Sequence, residues 1–114
     1  MTRIRIMYWK EIPVQIQAED EFGQISKQLD HRFQEGVDAI SMLDGSTGTD
    51  DYLMSWAWGE YEKVEGNAKN AAESATNRYN TLFPKDFVKR IRDAHKSGKR
   101  DTRPAAIDHW TQEK

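Results

Sequence analysis

The chain has 114 residues, no cysteine and a formal net charge of −2. A chain of this length suits a single domain, which can bury a hydrophobic core without disulfide bonds or a structural metal. Because cysteine is absent, the sequence excludes disulfide bonds, thiolate catalysis, zinc–cysteine sites and iron–sulfur clusters with cysteine ligands.

The first residues enter an alternating pattern directly, without the long apolar core of a signal peptide. The longest apolar run falls far short of the roughly 20 residues that span a bilayer. We therefore expect a soluble, cytoplasmic protein that makes no membrane contact.

Two strands are predicted near the N-terminus. The segment Arg3–Trp9 alternates between two sets of side chains, and a period of two is typical of a strand. One set is Ile4, Ile6 and Tyr8, and the other is Arg3, Arg5, Met7 and Trp9. Pro13 predicts a turn or strand edge, because proline lacks an amide donor. The alternation of Val14, Ile16 and Ala18 with glutamines predicts a second strand and a hairpin.

A helical period begins near Gln24 and predicts the first helix. Its apolar stripe recurs at steps of three and four residues and comprises Ile25, Leu29, Phe33, Val37, Ile40 and Leu43. Acidic residues 19–21 lie before this helix, where they would complement its dipole. Gly45 is well placed as a left-handed cap that ends it.

The polar segment 45–51 predicts a loop, and the aromatic alternation after it predicts a third strand from Tyr52 to Val64. A short helix capped by Thr49 or Asp50 is the alternative. Asn67 is suited to cap a second helix. The apolar stripe of that helix is narrow and mostly of small residues, which allows close packing on a sheet: Ala68, Ala71, Ala72, Ala75, Tyr79 and Leu82.

A third helix is predicted to open at Phe87 and to end near Gly98. Residues 99–114 are predicted to form a tail, with docking of Ile107 and Trp110 onto the body as an alternative. The order of elements predicts an α+β fold, a small antiparallel three-stranded sheet (β-β-α-β-α-α) with helices packed on one face. We expect one domain over residues 3–98, followed by the tail.

The sequence predicts no catalytic, metal or cofactor site. The histidines His31, His95 and His109 lie far apart and form no pair with metal-binding spacing. The loop 45–51 lacks the lysine of a phosphate-binding loop and the terminal glutamate of an EF-hand. Glu60 and Glu62 share one face of the predicted strand, where we expect them to be solvated. We therefore expect a protein that is not an enzyme.

Charge is distributed unevenly along the chain. Residues 1–84 contain eight basic and fourteen acidic residues, whereas residues 85–103 contain eight basic and three acidic residues. Four basic residues share one face of a predicted basic helix over 85–97: Lys85, Lys89, Arg92 and Lys96. Such a face can bind nucleic-acid phosphates, dock on an acidic protein surface or remain solvated, and the sequence leaves all three open.

Aromatic and arginine side chains are dense on the predicted sheet. Tryptophan, tyrosine and arginine are the residue types that most often anchor protein interfaces. The candidates are Arg3, Arg5, Trp9, Trp56, Trp58 and Tyr61. Packing of the second helix or the tail against these residues is the alternative explanation.

Three segments resemble a known family. Tyr8-Trp9-Lys10-Glu11-Ile12-Pro13-Val14-Gln15 resembles its opening signature, Arg32–Asp38 its helix motif, and Gly48–Leu53, followed by Trp56, its third block. Residues 5–83 are therefore similar to the bacterial "virulence factor" domain family, whose domain also occurs in conserved virulence factor C. The resemblance implies no catalytic residues. Short members accompany folate- and corrinoid-dependent one-carbon enzymes, which implies an accessory role beside such enzymes.

We therefore predict a non-catalytic accessory protein that binds a protein partner and needs no cofactor. A one-carbon methyltransfer enzyme is the partner that the resemblance implies. Nucleic-acid binding through residues 85–103 is one alternative, and a small metal-free enzyme or ligand-binding module is another.

Overall fold

The computed structural model describes residues 1–112, which form one antiparallel sheet with helices packed against it. The strands are β1 (Thr2–Trp9), β2 (Ile12–Asp20), β3 (Gly23–Gln28), β4 (Trp56–Trp58) and β5 (Glu62–Val64). The helices are α1 (His31–Leu43), α2 (Asp50–Met54), α3 (Ala68–Leu82) and α4 (Phe87–Lys96), followed by a 3₁₀ helix at Asp108–Gln112. The predicted α+β class is confirmed.

The sheet order is β3-β2-β1-β4, and β5 pairs with β1 beside β4. β4 pairs with the end of β1 at Met7–Trp9, whereas β5 pairs with its beginning at Thr2–Ile4. Two short strands therefore share one edge of β1. The predicted number of three strands is wrong, because the described residues contain five.

Strand β3 lies where the first helix was predicted to begin. The segment after Gly23 pairs along β2, with Ile25 opposite Ala18, and α1 begins only at His31. Ile25 and Leu29 lie four residues apart, so they continue the spacing of the α1 stripe although they belong to a strand and a connection. Pairing with β2 overrides this local spacing, as tertiary contacts commonly do. The acidic residues 19–21 accordingly lie in the β2–β3 hairpin and not before a helix.

The segment predicted as a third strand from Tyr52 to Val64 consists of three short elements. Helix α2 covers Asp50–Met54, and β4 and β5 follow it. The short-helix alternative is therefore confirmed for this part. Thr49 occupies the N-cap position without a side-chain capping bond, and its hydroxyl donates to the Ser46 carbonyl at 2.7 Å.

Helix α3 packs closely on the sheet through small residues. Its N-cap is Asn67, whose side chain accepts a hydrogen bond from the Asn70 amide at 2.8 Å, as predicted. The buried residues Ala68, Ala71 and Ala72 form a cluster with Ala18 of β2. The main core joins β2 to α1, α3 and α4 and includes Trp9, Ile12, Ile16, Phe33, Val37, Ile40, Phe83, Phe87 and Ile91.

Trp9 is buried in the core and is not a surface residue. Its exposed fraction is 0%, and its ring centroid lies 5.7 Å from that of Tyr52. The indole Nε1 donates to the Tyr52 carbonyl at 3.0 Å. The α2 segment therefore covers this end of β1, which alternation within the strand did not predict. Trp9 is accordingly removed from the predicted interface.

The C-terminal segment folds back onto the body. Ile107 belongs to the core and Trp110 packs against it, with the Trp110 ring 6.2 Å from that of Phe83. This is the docking alternative that the sequence analysis raised. We call residues 99–112 the tail segment; the last two residues of the predicted tail lie outside the described residues.

Candidate functional site: an arginine–aromatic ladder and a cleft

Two arginines of β1 stack on aromatic rings of the neighbouring edge. The Arg3 guanidinium lies 3.8 Å from the Tyr61 ring centroid, and that of Arg5 lies 4.1 Å from the Trp58 ring and 4.7 Å from the Tyr61 ring. Trp58 is held opposite Met7 by the pairing of β4 with β1, and Tyr61 immediately precedes β5. We call Arg3, Arg5, Trp58 and Tyr61 the arginine–aromatic ladder.

Side chains of β2 also bind both guanidinium groups. The Arg5 Nε donates to the Gln17 Oε1 at 2.6 Å, and Arg3 forms an ion pair with Glu19. These partners follow from register, since Arg5 lies opposite Gln17 and Arg3 opposite Glu19. The Arg3 side chain remains 51% exposed. The ladder is therefore ordered by the protein itself while part of it faces solvent.

Of the other predicted aromatic candidates, Trp56 is not part of the ladder. It lies opposite Trp9 in the sheet and packs against the core, with its ring in an edge-to-face contact 6.3 Å from that of Tyr52. The structure thus brings together four of the six predicted sheet residues and assigns Trp9 and Trp56 to packing.

The predicted basic face is exposed but interrupted. Lys89, Arg92 and Lys96 lie on α4 and are exposed, whereas Lys85 lies in the turn before the helix. Lys89 forms an ion pair with Asp93 at 3.0 Å. Arg100 also belongs to the predicted basic segment, but its side chain is buried and does not contribute to the exposed face.

Arg100 anchors the tail segment through a buried ionic network. Its Nε and Nη2 donate to the two carboxylate oxygens of Glu11 at 2.6 and 2.8 Å, and its Nη1 donates to Asp44 at 3.0 Å. Lys10 also donates to Asp44, at 2.8 Å. Burial raises the pKa of Asp44, but the hydrogen bonds from Lys10, Ser46 and Arg100 outweigh it and leave that pKa well below its ordinary value.

A cleft of about 690 Å³ opens between β1, the β4–β5 connection, α3 and the tail segment. Its lining comprises Ile4, Arg5, Ile6, Tyr8, Trp58, Gly59, Glu60, Tyr61, Glu62, Tyr79, Pro104, Ala105 and Asp108. The cleft therefore adjoins the ladder and shares Arg5, Trp58 and Tyr61 with it. Glu60 and Glu62, expected in solvent, are exposed residues at its rim.

Two tyrosines and one aspartate meet at the cleft. The hydroxyls of Tyr8 and Tyr79 both donate to Asp108 Oδ2, the latter at 2.8 Å. Asp108 Oδ1 is buried and finds no hydrogen-bond donor within residues 1–112. Burial raises the pKa of Asp108, although both tyrosine hydrogen bonds oppose the shift. The three residues are far apart in the chain, so no local sequence pattern indicated this cluster.

The motifs that carry the family resemblance make structural contacts. The Arg32 guanidinium donates to the carbonyls of Asn80, Phe83 and Pro84 at 3.0 to 3.2 Å, where α3 ends and leaves acceptors unpaired. A Cβ atom on Gly36 would lie 2.6 Å from the Phe87 ring, so α1 and α4 approach closely only because this residue is glycine.

His31 is exposed on α1, and its Nε2 lies 3.9 Å from Oε1 of Glu35. Within residues 1–112, no group of three or more histidine, aspartate or glutamate side chains is arranged to hold a metal ion. The helices of the same residues are all too short or too polar to cross a membrane.

The fold and its surface define a small α+β domain with an ordered arginine–aromatic face beside an open cleft. A family model described as "Virulence factor" matches residues 7–91 of the chain. The chain therefore belongs to the virulence factor family. The match continues beyond the predicted limit of residue 83 and includes Phe87, which packs against Gly36. Neither a curated protein nor a solved structure matches the chain.

Proposed function

We propose that this protein is a non-catalytic accessory protein that binds another protein through the arginine–aromatic ladder. The observation that carries the proposal is the stacking of two arginines on two aromatic rings at a solvent-facing edge of the sheet, at 3.8 Å for Arg3 and 4.1 Å for Arg5. Tryptophan, tyrosine and arginine dominate the binding energy of protein interfaces.

The order of the ladder before binding supports this role. Immobilising a long side chain at an interface costs about 0.5–1.5 kcal/mol. Gln17 and Glu19 already hold Arg5 and Arg3, so a partner would find both guanidinium groups in position. A merely solvated surface needs no such arrangement.

The chemistry of the surrounding face indicates what the partner offers. By register, the side chains that neighbour the ladder on β2 and β3 are polar and, except for Glu19, uncharged: Gln15, Gln17, Glu19, Gln24, Ser26 and Gln28. Arginine forms its strongest hydrogen bonds with carboxylates. We therefore expect a protein surface with carboxylate and backbone carbonyl acceptors, which the arginines and glutamine amides can both contact.

Two features support a role without catalysis. Guanidinium groups are not among the side chains that usually act as general acids or bases in enzymes. Two charged residues of the family-like motifs are engaged in structural contacts, Glu11 with Arg100 and Arg32 with the end of α3. A folate- or corrinoid-dependent methyltransfer enzyme, the partner that the resemblance implies, is the first candidate to test.

The experiment compares partner binding by variants that separate the ladder from the rest of the surface. The test variants are Arg3→Ala and Arg5→Ala. Arg3 belongs to the ladder but does not line the cleft, whereas Arg5 belongs to both. Lys69→Ala, on an exposed position of α3, is the matched control for loss of one positive charge. Circular dichroism and thermal unfolding first establish that each variant folds.

Affinity capture from native lysate identifies the bound protein, and titration with that purified protein measures its Kd. We expect Arg3→Ala and Arg5→Ala to weaken binding at least about tenfold and Lys69→Ala to leave it unchanged. Equal affinity of wild type and both ladder variants for every captured protein would refute the proposal.

A further inference from the structure

We infer that the cleft between β1 and the tail segment is a binding site for a small organic cation, a protonated amine or amidinium on an apolar body. This goes beyond the proposed function, because it needs no protein partner. Three features of the cleft support such a site: its charges, its unpaired carboxylate oxygen and its walls.

Carboxylates dominate the charge of the lining. Among the lining residues, Asp108 lies within the cleft and Glu60 and Glu62 lie at its rim, and Arg5 is the basic residue. Arg78 lies outside the lining, but its charge also acts on Asp108. The Arg5 charge is already directed towards Trp58, Tyr61 and Gln17. We therefore expect the cleft to favour a cationic ligand over an anionic ligand of the same shape.

One oxygen of the Asp108 carboxylate, Oδ1, lacks a hydrogen-bond donor. Both tyrosine hydroxyls bind Oδ2, and Oδ1 is buried without a partner in the described residues. Leaving a buried acceptor unpaired is unfavourable, and an N–H group of a ligand would remove that cost. The two hydrogen bonds to Oδ2 are sufficient for Asp108 to hold the 3₁₀ helix in place. This structural role therefore does not explain why Oδ1 has no donor.

The walls suit a flat or compact apolar body. The rings of Tyr8, Tyr79, Trp58 and Tyr61 line the cleft and give it apolar walls. Trp58 and Tyr61 already hold the Arg5 and Arg3 guanidinium groups, so these rings contribute packing surface. The volume of about 690 Å³ lies in the range of small-molecule sites. Gly59 allows this geometry, because a Cβ atom there would lie 2.9 Å from the Tyr8 ring.

A donor can reach the buried Oδ1 only if one wall of the cleft shifts. Pro104 and Ala105 of the tail segment form that wall and are both exposed. Ala105 has a φ of +70°, in the left-handed region that non-glycine residues seldom adopt. We expect a ligand that reaches Asp108 to displace these two residues.

The test uses three probes of one shape: benzamidinium, neutral benzamide and anionic benzoate. Each is titrated into the isotopically labelled full chain, and amide chemical shifts are recorded by NMR. We expect saturable binding of benzamidinium with a Kd of about 1 mM or tighter. The largest shifts should fall at Gly59 and Ala105, and benzoate should bind at least about tenfold more weakly.

Variants tie the binding to the carboxylates. Asp108→Asn should weaken benzamidinium binding at least about tenfold, and Glu62→Gln, an exposed change that leaves the fold intact, about threefold. Glu21→Gln, in the exposed β2–β3 hairpin, is the control and should change nothing. Absence of saturable binding, equal binding of benzoate, or shifts centred away from the cleft would each overturn the inference, whether or not Asp108→Asn folds.

Discussion

The Arg100 guanidinium forms a two-pronged ion pair with the Glu11 carboxylate, from a position 89 residues further along the chain. Both side chains are almost fully buried, with 6% and 1% of their surface exposed. Glu11 lies in the turn between β1 and β2, and Arg100 begins the tail segment. One buried contact thus joins the two ends of the domain.

We expect Arg100→Ala to lower the free energy of unfolding by about 3 kcal/mol, because it leaves Glu11 buried and unpaired. Urea denaturation measures the change. Arg103→Ala is the control, since Arg103 pairs with Asp101 in solvent and its side chain is 84% exposed. A loss from Arg100→Ala no larger than that from Arg103→Ala would contradict the structural role of the pair.

Acid should weaken the network through Asp44. The pKa of Asp44 in the folded protein lies below its unfolded value of about 3.9, so its contribution is complete above that pH and is lost as pH falls below it. At neutral pH, Asp44→Asn should be less stable than wild type. The gap in urea midpoint should narrow progressively as pH falls from about 5 to about 2.

A gap that stays constant over this range would show that Asp44 is not held ionised by the network. Asp101→Asn provides the comparison. Hydrogen bonds from Arg103 lower the pKa of Asp101 to about 2, but this pair is exposed, so the substitution should change stability little at any pH.

Replacing Gly36 with alanine tests the close approach of α1 and α4. Within a free helix, Gly→Ala favours folding by up to about 1 kcal/mol. Here the new Cβ would lie 2.6 Å from the buried Phe87 ring, so we expect a net loss of about 1–3 kcal/mol in unfolding free energy. Combining Gly36→Ala with Phe87→Leu makes a double-mutant cycle. In the Phe87→Leu background, Gly36→Ala should become neutral or stabilising; the same loss in both backgrounds would contradict the contact.

Nucleic-acid binding by the basic helix provides another test. With Arg100 buried and Lys89 paired to Asp93, we expect no saturable binding of duplex DNA or single-stranded RNA at about 0.1 M salt. Fluorescence anisotropy measures it. Tight binding that falls with salt and is reduced in Arg92→Ala would instead favour the nucleic-acid alternative.

Much of the fold follows from local patterns in the sequence. The alternation in β1 and the cap and small-residue stripe of α3 were sufficient to place those elements. Strand β3 was missed because Ile25 continues the helical spacing of α1, and only pairing with β2 decides between the two. The segment after Thr49 was misjudged because its aromatic alternation spans a helix turn and a strand.

The candidate site was partly predictable for the same reason. The ladder arginines alternate on one strand, and their aromatic partners are near one another in the chain. Trp9 was misplaced because α2 folds over the end of β1, a tertiary contact without a local signal. The cluster of Tyr8, Tyr79 and Asp108 joins three distant segments, and Asp108 lies in the predicted tail.

The most direct test of the central claim is photo-crosslinking from within the ladder. Tyr61 is replaced by p-benzoylphenylalanine, which keeps an aromatic ring at the edge of the sheet, and His31, exposed on α1, receives the same replacement as the control. After irradiation in native lysate, we predict one discrete crosslinked protein from position 61 that is absent from position 31 and lost in an Arg3→Ala background. Identical crosslinks from both positions, or none from position 61, would contradict the claim that the ladder binds a protein partner.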